Sequence, residues 1–84
     1  MQREEIPMHF EYICVPERGV LDDKTVFHTY AVLCVCRTRR RRVILHCFHD
    51  VSPDISFVKG LARLCSQSQL SPCHFYDVFY DYTP

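Results

Sequence analysis

The stretch Asp50-Val51-Ser52-Pro53-Asp54-Ile55-Ser56-Phe57-Val58-Lys59-Gly60-Leu61-Ala62-Arg63-Leu64-Cys65-Ser66, continued by Gln67-Ser68-Gln69-Leu70-Ser71-Pro72-Cys73-His74-Phe75-Tyr76-Asp77-Val78-Phe79-Tyr80-Asp81-Tyr82, decides the fold. It opens two helices in the same way, with Val51-Ser52-Pro53 and Leu70-Ser71-Pro72. The first four N–H groups of a helix lack an internal partner, so a serine hydroxyl can cap one of them. A proline just inside loses nothing, because its missing N–H would have been an orphan. Ser52 and Ser71 are therefore expected as caps, with Pro53 and Pro72 in the first turns.

After Ser52 the apolar residues Ile55, Val58, Leu61, Ala62 and Cys65 recur in steps of three and four, which gathers them on one side of a helix. Phe57 and Leu64 widen that stripe, and Lys59 and Arg63 take the opposite side. Gly60 weakens the middle by about 1 kcal/mol relative to Ala, so tertiary packing has to hold the helix. The second helix is expected from Pro72 to about Tyr82. Its apolar side carries Phe75, Val78, Phe79 and Tyr82, and Leu70 with Phe75 has the spacing of a hydrophobic staple.

Working toward the N-terminus, Met8 to Val15 alternates, with Met8, Phe10, Tyr12 and Cys14 on one side and His9 and Glu11 on the other. That is the pattern of a half-buried strand. Pro16 to Lys24 reads as a loop, because Pro16, Gly19 and Asp22-Asp23 are breakers. Thr25 to Arg37 is rich in β-branched and aromatic residues and reads as a long strand, apolar on both sides in its second half. Thr38 to Arg41 is the turn that follows. It lacks Gly and Asn, which argues against a two-residue turn with positive φ. Arg42 to His49 is the third strand, with Val43, Leu45 and Cys47 on one side and Ile44, His46 and Phe48 on the other. Short connections favour antiparallel neighbours. The expected fold is thus α+β: a three-stranded antiparallel β-meander (residues 8–49), then a helical pair (52–82) packed on one face. The 84 residues are expected to form one domain, with 1–7 frayed.

The tail of the chain, Asp50-Val51-Ser52, Asp54, Val58, Leu61, Leu64-Cys65, Leu70-Ser71-Pro72-x-His74 and Asp77-Val78-x-x-Asp81, resembles that of an uncharacterised family of short bacterial proteins with a domain of unknown function. The likeness covers about 35 residues. Tyr80 stands where such tails carry Glu, and Pro53 and Ile55 replace polar residues of the first cap. The resemblance implies a short sheet before the helices and carries no activity with it.

Composition limits the function. No apolar run reaches the ~18 residues of a membrane span. The charged start Met1-Gln2-Arg3-Glu4-Glu5 lacks the apolar core of a signal peptide, so a cytoplasmic location without membrane partners is expected. In that compartment the six cysteines are expected as reduced, packed thiols. Net charge is zero but uneven. Six acids against Arg3 and Arg18 make residues 1–23 net −4, and five arginines make residues 37–42 net +5.

Four candidate sites follow. The arginines Arg37, Arg39, Arg40, Arg41 and Arg42 at a hairpin tip can contact phosphates of a nucleic acid, or serve as a solvated turn that guards the sheet edge or binds acidic segments. Cys34, Cys36, His46, Cys47 and His49 are zinc-type donors, but no Cys-x-x-Cys occurs and His46 and Cys47 point to opposite faces. No metal and no cofactor is therefore expected. His74 has the position of a structural cap beside Ser71 or of a partner to Asp77 or Asp81. Its neighbour Cys73 lacks an oxyanion site, so no catalytic residue is assigned. Tyr76 and Tyr80, four apart beside Asp77 and Asp81, form a second stripe that one small core has no room for. They can wrap the sheet edge or face a partner. The expected function is a non-enzymatic protein-binding adaptor or regulator using Tyr76, Tyr80, Asp77 and Asp81, with an unidentified protein or a second copy as partner. The alternative is a nucleic-acid or phosphate binder using the arginine turn.

Overall fold

A computed structural model of the chain describes residues 8–82. Three strands, β1 (His9–Val20), β2 (Val26–Arg37) and β3 (Arg42–Ser52), form an antiparallel sheet in the order β1-β2-β3. The helix α1 (Ile55–Gln67) follows, then a single 3-10 turn (Pro72–His74) that runs into α2 (Phe75–Tyr82). This is the expected α+β meander with two C-terminal helices. The expected frayed segment 1–7 lies outside the described residues.

Both helices pack on one face of the sheet. Tyr12, Val32, Cys34 and Phe48 from the strands meet Val58, Leu61, Ala62 and Cys65 from α1 and Phe75 from α2, and all of these are buried. The predicted α1 stripe is thus the buried one, except that Ile55 and the flanking Leu64 remain exposed. Phe75 is the keystone of α2. Its ring stacks on Phe48 at 3.9 Å and lies parallel to Tyr12 at 6.2 Å. The helices meet through Phe57, which faces Phe79 at 6.1 Å and Tyr82 at 5.4 Å. Gly60 lies under Tyr82: a Cβ there would stand 3.2 Å from the Tyr82 hydroxyl.

Four details differ from expectation, each for a physical reason. Pro16 to Val20 is strand, not loop. β1 is an edge strand, where a proline costs no ladder hydrogen bond if its nitrogen faces outward. Gly19 pairs with Phe27, whose ring covers it so closely that a Cβ would fall 2.1 Å from a ring carbon. The turn shrinks to residues 21–25, closed by Leu21 N–H to Thr25 O and Lys24 N–H to Leu21 O, with Lys24 at φ 67.

Second, Ser52 does not cap α1. It ends β3 opposite Tyr30, and its hydroxyl accepts from the Asp54 N–H. Asp54 is the cap: its carboxylate accepts from Ser56 N–H at 3.0 Å and Phe57 N–H at 3.3 Å. A carboxylate also suits the positive end of the helix dipole. Pro53 accordingly lies outside the helix. Third, Ser71 holds the cap position of the 3-10 turn by its backbone alone. Its carbonyl accepts from His74 N–H, while its hydroxyl lies 3.3 Å from Cys73 Sγ and makes no cap bond.

Fourth, β3 reaches Ser52 rather than His49, and its alternation is broken twice. Phe48 pairs with Val32 and Ser52 with Tyr30, so β3 advances four positions while β2 advances two; Asp50, within that interval, has φ 48. A second shift falls at Leu45, between the pairs Cys34–His46 and Val35–Ile44. Such bulges turn side chains to the other face. Ile44 therefore joins Cys47 on the face away from the helices, while His46 and Phe48 stay beneath them. The turn between β2 and β3 has four residues, closed by Thr38 N–H to Arg41 O at 2.8 Å, and needs no positive φ.

α1 ends in a left-handed residue that is not glycine, Gln69 at φ 52. Leu70 N–H reaches back to Cys65 O and Gln69 N–H to Ser66 O, the two bonds of a Schellman ending. A left-handed non-glycine costs roughly 1–2 kcal/mol. Two bonds from the Gln69 side chain offset it: Phe10 N–H donates to Oε1 at 2.9 Å, and Nε2 donates to Phe10 O at 3.0 Å. One turn earlier Ser66 does the same for Tyr12, accepting from its N–H at 2.8 Å and donating to its carbonyl at 3.3 Å.

Candidate functional site

The residues that the sequence singles out occupy three separate places. Tyr76, Asp77, Tyr80 and Asp81 lie together on the outer side of α2, and all four are exposed. Tyr76 is anchored at its inner edge, perpendicular to Phe48 at 5.4 Å and to Phe75 at 5.5 Å. Tyr80 stands 6.3 Å from Tyr76 and 5.3 Å from Phe79 and is 70% exposed. The aromatic stripe therefore starts in the core and runs out into solvent. Helical spacing of four puts both tyrosines on one line with the two aspartates beside them. His74 joins this side: its Nδ1 lies 3.6 Å from Asp77 Oδ2, so it pairs with the carboxylate of the next turn.

The arginine turn divides. Arg37 and Arg42, paired across β2 and β3, both face Glu11 of β1, at 2.7 Å and 3.8 Å. The hydrogen bond from Arg37, with the fields of Arg37 and Arg42, holds the Glu11 carboxyl below its ordinary range. Arg39, Arg40 and Arg41 are exposed, and none of them has a carboxylate partner among the described residues. The acidic N-terminal strand thus engages two of the five arginines.

The cysteines and histidines considered as zinc donors are separated by the sheet. Cys34 is buried under the helices, and His46 packs against Phe48 at 4.5 Å. Cys47 and His49 lie on the opposite face. Burial raises the thiols of Cys14, Cys34 and Cys47 above the ordinary range and pushes Cys65 up to about 11. Of these, Cys34 and Cys65 are packed in the core. All six cysteines are free. Tyr12 is held protonated by burial and donates its hydroxyl to the Leu70 carbonyl.

Glu17 falls in Pro16 to Lys24, which reads as a loop from sequence and marks no site there. As part of β1, Glu17 lies opposite Thr29 and reaches over β2 to β3, where it accepts from the Asp50 N–H at 2.8 Å and contacts His49 Nδ1. Those two groups hold its carboxyl below the ordinary range. No local pattern marks this residue; only its place in a β1 that continues past Pro16 does.

A meander with a helical pair on one face and an acidic aromatic stripe on its last helix defines a small α+β module. The chain belongs to a family of unknown function, DUF6514, whose model matches residues 1–84. No curated protein and no solved structure matches the chain significantly. No helix among the described residues is long and apolar enough to cross a membrane.

Proposed function

We propose that the chain is a non-enzymatic protein-binding module, working in the cytoplasm of a bacterium, whose interface is the outer side of α2. The observation that carries this reading is the Tyr76–Tyr80 pair. Tyr76 is fixed edge-on against Phe48 while Tyr80, tilted against it at 6.3 Å, is 70% exposed. Rigid, half-anchored tyrosines supply contact area at little cost in side-chain freedom and are favoured as interface anchors. Asp77 and Asp81 give the face a negative rim, which selects a partner surface carrying cations. The bacterial setting rests on the resemblance of the tail.

The test is association of the purified full chain. Sedimentation over a concentration series, together with a pull-down using the chain as bait, is expected to show self-association or one retained partner. Tyr76→Ser with Tyr80→Ser removes it, while serine at Arg39, Arg40 and Arg41 leaves it in place. Equal behaviour of the wild type and the tyrosine double variant overturns the reading. Binding to nucleic acid that weakens steeply with salt and disappears in the arginine variant would assign the function to the turn instead.

A further inference from the structure

We propose that Glu17, Cys47 and His49 form a binding site for a zinc-class divalent cation on the sheet face away from the helices. The inference is independent of the α2 interface. One carboxylate oxygen, one thiol sulfur and one imidazole nitrogen lie within 4.8 Å of one another. A tetrahedral ion with Zn–S near 2.3 Å and Zn–N near 2.0–2.1 Å sets sulfur and nitrogen about 3.6 Å apart. Cys47 Sγ and His49 Nδ1 stand 3.7 Å apart. His49 Nδ1 also touches Glu17 Oε2, and an ion between them takes the place of that hydrogen bond.

The fold builds this cluster from both edges of the sheet. Cys47 and His49 are two apart on β3 and so share a face. Glu17 comes from β1 and crosses β2 above Thr29, beside the small Ala31. The crossing needs β3 to present its backbone as well as its side chains, and the irregular pairing around Asp50 does so. Asp50, at φ 48, aims its N–H at Glu17 Oε1, and its carboxylate accepts from Thr29 Oγ1 at 2.7 Å. Oε1 is thereby held, and Oε2 is left facing the nitrogen. A backbone donor on the outer oxygen of a ligating carboxylate is the usual second support of a metal site. A left-handed non-glycine residue at that point is the kind of local strain that collects at functional sites.

The donor set chooses the ion. Sulfur with imidazole and a single carboxylate suits zinc and its borderline neighbours, whereas calcium and magnesium require oxygen throughout. Three protein donors leave the fourth position to water or to a group on a bound molecule.

The experiment titrates the chelator-stripped full chain with Co²⁺ and then Zn²⁺. One equivalent of cobalt is expected to bind, to give a thiolate-to-cobalt charge-transfer band, and to be displaced by zinc. Cys47→Ala abolishes the band. His49→Ala and Glu17→Gln each weaken binding by at least the ~10–100-fold that loss of an outer partner alone produces. Cys73→Ala changes nothing. X-ray absorption on the zinc-loaded wild type, which depends on no variant, is expected to show one sulfur among nitrogen and oxygen neighbours. Absence of saturable binding, a band that survives Cys47→Ala, or a shell with no sulfur or with two would overturn the site.

Discussion

Along β1, the outward backbone groups of Phe10 and Tyr12 are taken up by the side chains of Gln69 and Ser66. Along β3, among the described residues, no hydrogen bond reaches the outer edge between Val43 and His49, and Val43, Ile44 and Leu45 are exposed. A bare strand edge is a template for another strand unless it is covered, kinked or charged. β1 is covered, and Pro16 further along it removes one donor. β3 is kinked at Leu45 and around Asp50, and Arg39 to Arg42 stand at its start. The first border is closed at Phe10 and Tyr12; the other is guarded by charge and irregularity and stays accessible. The accessible border lies beneath α2, because Tyr76 rests on Phe48 of β3.

The largest effect that can break this contrast is loss of the ring holding α2 over β3. Phe75→Ala should cost about 3–5 kcal/mol in denaturant unfolding, because it empties a fully buried site stacked on Phe48 and Tyr12. A cost under ~1 kcal/mol would mean that α2 is not docked.

A middle-sized effect compares the borders directly. Ser66→Ala with Gln69→Ala removes four side-chain bonds to β1, each worth roughly 0.5–1.5 kcal/mol net and replaceable in part by water. A total near 1–3 kcal/mol is expected, with lost hydrogen-exchange protection at the Phe10 and Tyr12 amides. Ile44→Lys on the open border should stay within about 0.5 kcal/mol, as exposed positions do. Similar costs for the two changes would erase the distinction.

The smallest effect concerns the charges at the end where the arginine turn meets β1. Glu11 has a depressed folded-state pKa, so its contribution is present above its unfolded value near 4.5 and is lost as pH falls through the lower folded value. Glu11→Gln should therefore cost under ~1 kcal/mol at pH 7, since both partners are partly exposed, and the difference from wild type should close as pH falls through that lowered folded value. A difference that widens in acid would mean that Glu11 is not the partner of Arg37.

Most of the fold was legible because periodicity reports burial. Val58, Leu61, Ala62 and Cys65 were placed on one helix face from spacing alone, and all are buried. Strand alternation served equally well for Phe10, Tyr12 and Cys14. It failed for Ile44, because a bulge inserts a residue without leaving a sign in the sequence. Breakers misled at Pro16 and Gly19, which an edge strand tolerates and a partner ring covers. Ser52 and Asp54 are both competent caps, and the length of β3, a tertiary property, decided between them. The α2 stripe was visible as surplus aromatic residues. Glu17 was not, since its significance lies in a reach over β2 to β3 that no local window contains.

Gln69 has a consequence for how the chain is made. It stands just past the end of a helix and binds the border of the first strand, and the two partners are 59 residues apart. A chain emerging from the ribosome therefore exposes that strand's hydrogen-bonding groups until Gln69 has been added and its helix has closed. For that interval nascent copies can pair through a strand edge that the finished protein covers at Phe10 and Tyr12, so a helper that shields extended segments would matter more to its synthesis than to its upkeep.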